Sequence, residues 1–143
     1  MVSLKEEKMS TDEGGKARKL LYEDLTYEIR GAIFAVHQAL GPGHKESVYQ
    51  KALAKELTIR NIPFMKEKIL DVVYKDEKVG TYKPDFIVDD KVIIEIKAVP
   101  FLPRDAEVQL SYYLRGTNYK LGLLVNFGSK KVDIRRRIYS AQR

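Results

Sequence analysis

Residues 83–98 read KPDFIVDDKVIIEIKA, and this stretch decides how the sheet of the protein is built. Apolar and β-branched residues lie on both sides of the polar cluster Asp89-Asp90-Lys91, which is typical of two strands joined by a turn. Because side chains alternate across a strand, Glu95 and Lys97 project from the same face. A turn of three residues brings Asp85 to that face as well, since an odd loop preserves the parity of the pairing. We therefore expect a β-hairpin with three charged side chains on one side.

Charged side chains inside this apolar hairpin need partners. Desolvating a lone charge costs several kcal/mol or more, so an acid and a lysine there pair with each other or bind a cation. One interpretation is a salt bridge at the solvated end of an edge strand. The other is a metal site, because the converging carboxylates of Asp85 and Glu95 form the oxygen site that Mg²⁺ prefers. Lys97 would then orient or help deprotonate a water, or stabilise charge on phosphorus, which suits phosphodiester hydrolysis.

Helical and strand patterns surround the hairpin on both sides. Apolar residues recur every three or four positions over residues 21–40, up to Gly41-Pro42-Gly43, and this predicts an amphipathic helix. The same spacing predicts helices over 45–60 and 106–117. After Pro63 the pattern changes to runs of β-branched and aromatic residues, which predict three antiparallel strands over 69–74, 79–88 and 92–99 and further strands over 121–127 and 132–139. The order ααβββαββ predicts a single α/β domain with a mixed β-sheet flanked by helices.

Length and composition limit the class of protein. The 143 residues are 44% hydrophobic and 32% charged, as expected for one soluble domain. No apolar run reaches the roughly 18 to 20 residues that span a bilayer, and the N-terminus has charges where a signal peptide is apolar, so we expect a cytoplasmic protein. Residues 1–18 show no apolar periodicity and predict a disordered leader, which leaves the domain at 19–143.

The residue types that are missing exclude several kinds of chemistry. The chain has no cysteine, so disulfides, thiolate zinc sites and a cysteine nucleophile are excluded. The two histidines, His37 and His44, leave little room for a His-rich metal site or for hydrolysis by a Ser-His pair. Oxygen ligands are what remain for a metal ion.

Positive charge is concentrated near the C-terminus. Residues 120–143 hold seven basic residues and one acidic residue, and the whole chain has a formal net charge of +6. Such a run favours a polyanion such as nucleic acid, through phosphate contacts and counterion release, although a solvated C-terminus without a partner is about as common. The first interpretation makes Arg135, Arg136 and Arg137 nucleic-acid-binding residues.

Three spaced motifs together resemble a known family. GPGHKESVYQKAL holds Gly43, Glu46 and Tyr49, and Pro84-Asp85 is followed after nine residues by Glu95-Ile96-Lys97. With LGLLVNFGS further on, the chain resembles the GxxExxY family of the PD-(D/E)XK nuclease superfamily over about residues 25–138. The third helix adds Q-x-x-x-Y, which is similar to the extra motif of RecB-like members of that superfamily.

The resemblance implies a restriction-endonuclease-like core that uses Mg²⁺ or Mn²⁺ to hydrolyse phosphodiester bonds in DNA. By that resemblance Asp85 and Glu95 are metal-binding and catalytic acids, Lys97 is the catalytic lysine, and Glu46 is a helix-borne glutamate beside the metal. The residues alone leave Glu46 open, because a first-turn glutamate also complements the helix dipole. Family members commonly have a small residue and an arginine before the signature aspartate, whereas this chain has Lys83-Pro84.

The residues leave two interpretations for the third helix and for the partners of the protein. Gln109 and Tyr113 lie one helical turn apart, so they would reach one spot near the metal or the nucleic acid, and core packing of Tyr113 is the alternative. A fold hosts many functions. A non-catalytic nucleic-acid-binding or protein-interaction module is therefore the second hypothesis, and a homodimer or a protein partner is open.

Overall fold

The computed structural model describes residues 20–140 in full and, before them, only the backbone of residues 10–11 and 17–18. Those four residues form a short antiparallel pair, β1 (Ser10–Thr11) and β2 (Ala17–Arg18). The rest of the predicted disordered leader at residues 1–18 lies outside the described residues, as do residues 19 and 141–143.

Three helices and seven strands follow over residues 20–140. They are α1 (Glu23–Leu40), α2 (Glu46–Ile59), β3 (Phe64–Lys66), β4 (Leu70–Tyr74), β5 (Glu77–Tyr82), β6 (Phe86–Val88), β7 (Val92–Lys97), α3 (Arg104–Gly116), β8 (Leu121–Asn126) and β9 (Asp133–Ile138). Five strands form a mixed sheet in the order β3-β6-β7-β8-β9, in which β7 and β8 run parallel and the other neighbours antiparallel. The predicted class, one α/β domain with a mixed sheet flanked by helices, is confirmed. Within the described residues, no helix has the length and apolarity needed to cross a membrane.

Helices cover both faces of the sheet. The apolar faces of α1 and α2 pack on one face, where Ile29, Ile33 and Leu53 are fully buried. On the other face, Leu110 and Leu114 of α3 pack against the sheet together with part of the β4–β5 hairpin. Every residue of β8 is buried because this strand is covered on both sides.

The segment between α2 and α3 differs from the predicted order ααβββαββ, because it holds five strands where three were expected. The predicted strand over 79–88 is interrupted at Lys83-Pro84-Asp85, since proline has no N–H to donate to a ladder. Its first half, β5, pairs with β4 in a separate two-stranded sheet, so the three predicted segments do not all neighbour one another. The additional strand β3 has three residues, too few for a period-two pattern to show in the sequence.

Candidate functional site

The β6–β7 hairpin has the register that the sequence requires for a shared site. Phe86 pairs with Ile94 and Val88 with Val92, which leaves the three-residue loop Asp89-Asp90-Lys91. The loop closes with a hydrogen bond of 3.0 Å from the Lys91 N–H to the Val88 carbonyl oxygen. Continued by one residue, this register places Asp85 opposite Glu95. The expected three-residue loop is confirmed.

Two backbone hydrogen bonds hold the carboxylates of Asp85 and Glu95 against each other's strand. The Asp85 N–H donates to Glu95 Oε1 at 3.0 Å, and the Ile96 N–H donates to Asp85 Oδ2 at 2.7 Å. Both donors are backbone N–H groups next to the point where β6 begins, and the two carboxylates satisfy them in place of backbone carbonyl groups. The two carboxylates are therefore fixed side by side at the beginning of β6.

Helix α2 adds two polar residues to this site. Gln50 donates from Nε2 to Asp85 Oδ1 at 2.7 Å. Glu46 lies one turn earlier, exposed to solvent, and interacts electrostatically with Asp85 and Lys97. Sequence reasoning missed Gln50, although its i, i+4 spacing from Glu46 is the signal that puts both residues on one face of a helix.

Tyr49 holds the N-terminal end of α2 in place. Its hydroxyl donates to the Gly41 carbonyl oxygen, and its ring stacks on Phe127 with 4.7 Å between centroids. Gly41 and Gly43 have positive φ angles of 67° and 106°, a backbone conformation that favours glycine. The tyrosine of the G-x-x-E-x-x-Y motif is thus a structural anchor that orients the helix carrying Glu46 and Gln50.

The acidic site has more negative than positive charge. Burial, followed by the charge of Asp85, raises the pKa of Glu95 to about 7. Burial also raises the pKa of Asp85, against the hydrogen bonds from Ile96 and Gln50 that lower it, and partial burial raises that of Glu46. The charge of Lys97 lowers the pKa of all three carboxyls, but the structure gives its ammonium no ion pair within 4.0 Å among the described residues.

The donor set of the site fits a hard divalent cation. Among the described residues, no three Asp, Glu, His or Cys side chains are grouped closely enough to hold a metal ion by themselves. Mg²⁺ needs fewer protein ligands, because it is usually bound by one or two carboxylates and keeps several waters. Two desolvated carboxylates with raised pKa values are the arrangement that a cation would stabilise. Direct ligation by Glu46 stays a prediction.

Two stacked tyrosines border the carboxylates. The rings of Tyr82 on β5 and Tyr113 on α3 lie face to face, with 3.7 Å between centroids and 4° between planes. Tyr82 is 5% exposed, and burial together with the charges of Glu95 and Asp85 raises its pKa. Its hydroxyl lowers the pKa of Glu95, so it is close to that carboxylate, yet it lies outside ordinary hydrogen-bond geometry with any described residue. Tyr113 thus approaches the acids through Tyr82, whereas Gln109 is exposed.

The arginine run of β9 does not form one exposed surface. Arg136 and Arg137 are each 3% exposed. Arg136 donates from Nη2 to the Leu21 carbonyl oxygen at 2.7 Å, and burial lowers the pKa of Arg137. Arg135 is partly exposed and forms ion pairs with Asp133 and the buried Glu107, at 2.9 and 3.4 Å. Alternation along the strand sends Arg136 to the face opposite that of Arg135 and Arg137, so the three side chains are not presented together, and their contact with nucleic acid stays a prediction.

Replacing Glu95 by glutamine should stabilise the metal-free protein at pH 8. The folded pKa of about 7 lies above the ordinary value of 4.5, so between these values the folded state binds more protons than the unfolded state. The stability of the parent therefore falls as the pH rises from about 5 to 7, whereas the glutamine does not titrate. Urea unfolding in EDTA should show an advantage for Glu95→Gln that grows across this interval to on the order of 2 kcal/mol.

A matched control separates this effect from a general change of charge. Glu28→Gln makes the same substitution at an exposed position of α1. Its unfolding free energy should follow that of the parent at every pH. Parallel pH curves for Glu95→Gln and the parent would show that Glu95 is not destabilised by burial.

The comparisons with known proteins give one match. A family model of the PD-(D/E)XK nuclease superfamily matches residues 23–137, from the beginning of α1 to β9. This span contains Glu46, Gln50, Asp85, Glu95 and Lys97. The comparisons with curated proteins and with solved structures give no match.

Proposed function

The chain belongs to the PD-(D/E)XK nuclease superfamily, and on this premise we propose that it is a nuclease that hydrolyses phosphodiester bonds in DNA with Mg²⁺ or Mn²⁺. The observation that carries the proposal is that backbone hydrogen bonds hold the carboxylates of Asp85 and Glu95 side by side, near Lys97. A salt bridge alone does not account for it, because Lys97 forms no close ion pair with either acid among the described residues.

Within this proposal each residue of the site has a distinct role. Asp85 and Glu95 would hold the cation, which when bound polarises a phosphate oxygen and makes a water molecule more acidic. Gln50 orients the Asp85 carboxylate through its hydrogen bond of 2.7 Å. Lys97 orients the attacking water and stabilises negative charge on the phosphate. Glu46 is exposed, and we assign it a contact with the cation through a water molecule.

We also propose that the chain is a GxxExxY-type, RecB-like member of the superfamily. Glu46 and Tyr49 on α2, and Tyr113 beside Tyr82, support assignment to the GxxExxY family with a RecB-like third helix. The exposed position of Gln109 leaves its side chain free to contact a nucleic-acid strand. Tyr113, in contrast, supports the site by packing against Tyr82.

The test of the proposed metal site is thermal unfolding with and without divalent cations. A ligand that binds only the folded state stabilises it by RT ln(1 + [L]/Kd), so Mn²⁺ at about 100 times its Kd should add about 2.7 kcal/mol and raise the melting temperature by several degrees. A monovalent salt of equal ionic strength serves as the control for general screening. An unchanged melting temperature at millimolar Mn²⁺, together with no cleavage of labelled DNA, would contradict the proposal.

A non-catalytic binding module is the second candidate, and one observation favours it. Both carboxylate oxygens of Asp85 already accept hydrogen bonds, from Gln50 and from the Ile96 backbone. A site that is satisfied by protein donors gains less from a cation than a site with unpaired oxygens. Each oxygen has a second lone pair, however, so these bonds are compatible with metal binding.

A further inference from the structure

A positively charged cleft lies between the first helix and the loop that joins β8 to β9. The cleft between α1 and the β8–β9 loop, here called the α1 cleft, is formed by Arg30 and Phe34 of α1 and by residues 129–134. It has a volume of about 600 Å³ and is widely open to solvent. Arg30, Lys130 and Lys131 supply three positive charges around one aromatic ring.

The charges of the α1 cleft are not neutralised within the described protein. The structure shows no ion pair for Arg30, Lys130 or Lys131 with any described residue. Asp133, which also lines the cleft, is paired with Arg135 at 2.9 Å, so its carboxylate is already engaged. The cleft is therefore a site of net positive potential, which attracts anions.

Phe34 gives the cleft a second property that a simple anion site does not need. Its ring is 51% exposed, although it lies on the same helix as the fully buried Ile29 and Ile33. An exposed aromatic ring beside cations is what proteins use to bind single-stranded nucleic acid, since a base stacks on the ring while the cations contact phosphates. A base inside a duplex has both of its faces covered and offers no such surface.

The loop of the cleft is fastened to the end of the strand that carries Lys97. The Phe127 N–H donates to the Lys97 carbonyl oxygen at 2.9 Å, and the Asn126 amide forms two hydrogen bonds with the backbone of Val99, at 3.0 and 2.9 Å. On the other side, His37 Nε2 lies 3.0 Å from the Ser129 carbonyl oxygen, which ties the loop to α1. Because β7 and β8 are parallel, the cleft and Lys97 lie at the same end of the sheet.

We infer that the α1 cleft binds an unpaired, single-stranded segment of the nucleic-acid substrate, with a base stacked on Phe34 and neighbouring phosphates bound by Arg30, Lys130 and Lys131. The inference rests on the proposed function for the identity of the polyanion. In this inference the basic residues near the C-terminus that contact phosphates are the exposed Lys130 and Lys131, and not the buried Arg136 and Arg137.

The test measures binding of a labelled oligonucleotide of about 12 thymidylates to the full chain in EDTA, by fluorescence anisotropy. Phe34→Ala should weaken binding about fivefold or more, the effect of losing one base–aromatic stack, and Phe34→Trp should restore it. Tyr27→Ala is the matched control, because Tyr27 is 73% exposed on the same helix and does not line the cleft. Its affinity should stay close to that of the parent.

The charges are tested by the salt dependence of the same binding. The double variant Lys130→Gln/Lys131→Gln should reduce the log–log salt slope by about 0.7 for each phosphate that the protein no longer neutralises. The double variant Lys55→Gln/Lys75→Gln removes equal charge from exposed positions outside the cleft and should leave the slope nearly unchanged. A uridylate oligonucleotide of equal length shows whether RNA uses Phe34 as DNA does.

Three results would overturn the inference: parental affinity in Phe34→Ala for both oligonucleotides, equal salt slopes for the two lysine pairs, or competition by poly-glutamate as strong as that by unlabelled oligonucleotide. The last result would identify a site for acidic peptides. Because binding is measured in EDTA, these outcomes do not depend on Mn²⁺ binding or cleavage. Failure of the α1 cleft is thus distinguishable from failure of the proposed nuclease.

Discussion

Asp85→Asn is expected to abolish metal-dependent stabilisation and to reduce DNA cleavage by roughly 10³-fold or more. A cation that stabilises the transition state by several kcal/mol is lost with its ligand, and each 1.4 kcal/mol corresponds to a factor of about ten. The asparagine side chain can still accept the hydrogen bond from the Ile96 N–H, so the hairpin is retained. Because burial raises the pKa of Asp85, a neutral side chain at this position should not lower the melting temperature of the metal-free protein.

Calorimetric titration with Mn²⁺ and single-turnover cleavage measure the two losses separately. Asp76→Asn is the matched control, since Asp76 is exposed in the β4–β5 turn with a φ of 65°, which asparagine tolerates. Glu46→Gln should have a milder effect than Asp85→Asn if its contact with the metal runs through water. Binding of Mn²⁺ to Asp85→Asn with parental affinity would place the metal elsewhere and refute the assignment of the site.

Lys97→Ala is expected to reduce cleavage by roughly 10²-fold or more while metal binding is retained, the cost of removing one preorganised electrostatic group from an active site. The lysine is assigned to the water and the phosphate, whereas Asp85 is assigned to the metal. Loss of a cation beside three carboxyls should tighten Mn²⁺ binding at pH 8, where the acids are ionised.

The pH dependence of Mn²⁺ affinity distinguishes an electrostatic role of Lys97 from a structural one. The charge of Lys97 lowers the pKa of Glu46, Asp85 and Glu95, so without it these groups keep their protons to higher pH. Mn²⁺ affinity of Lys97→Ala should therefore fall more steeply than that of the parent between pH 8 and pH 6. Lys55→Ala, at an exposed position of α2, controls for loss of a positive charge. Cleavage at the parental rate in Lys97→Ala would refute the catalytic role assigned to Lys97.

Local patterns were sufficient for the elements that carry the site. The apolar periodicity of α1 and the glycines that follow it predicted a helix that the structure confirms, because helix formation and its termination depend on neighbouring residues. The parity of the Asp89-Asp90-Lys91 loop predicted the register of the β6–β7 hairpin for the same reason. The shared face of the Asp85 and Glu95 side chains follows from that register.

Only the tertiary structure decided which distant groups meet these side chains. Gln50 reaches Asp85 across 35 positions of sequence. Tyr82 on β5 lies close to Glu95 on β7, although these two strands belong to different sheets. The buried arginines of β9 were predicted as a surface because charge along the chain carries no information about the helices that cover a strand. Local sequence determines conformation and side-chain parity, whereas burial and proximity result from packing between elements that the chain brings together over long separations.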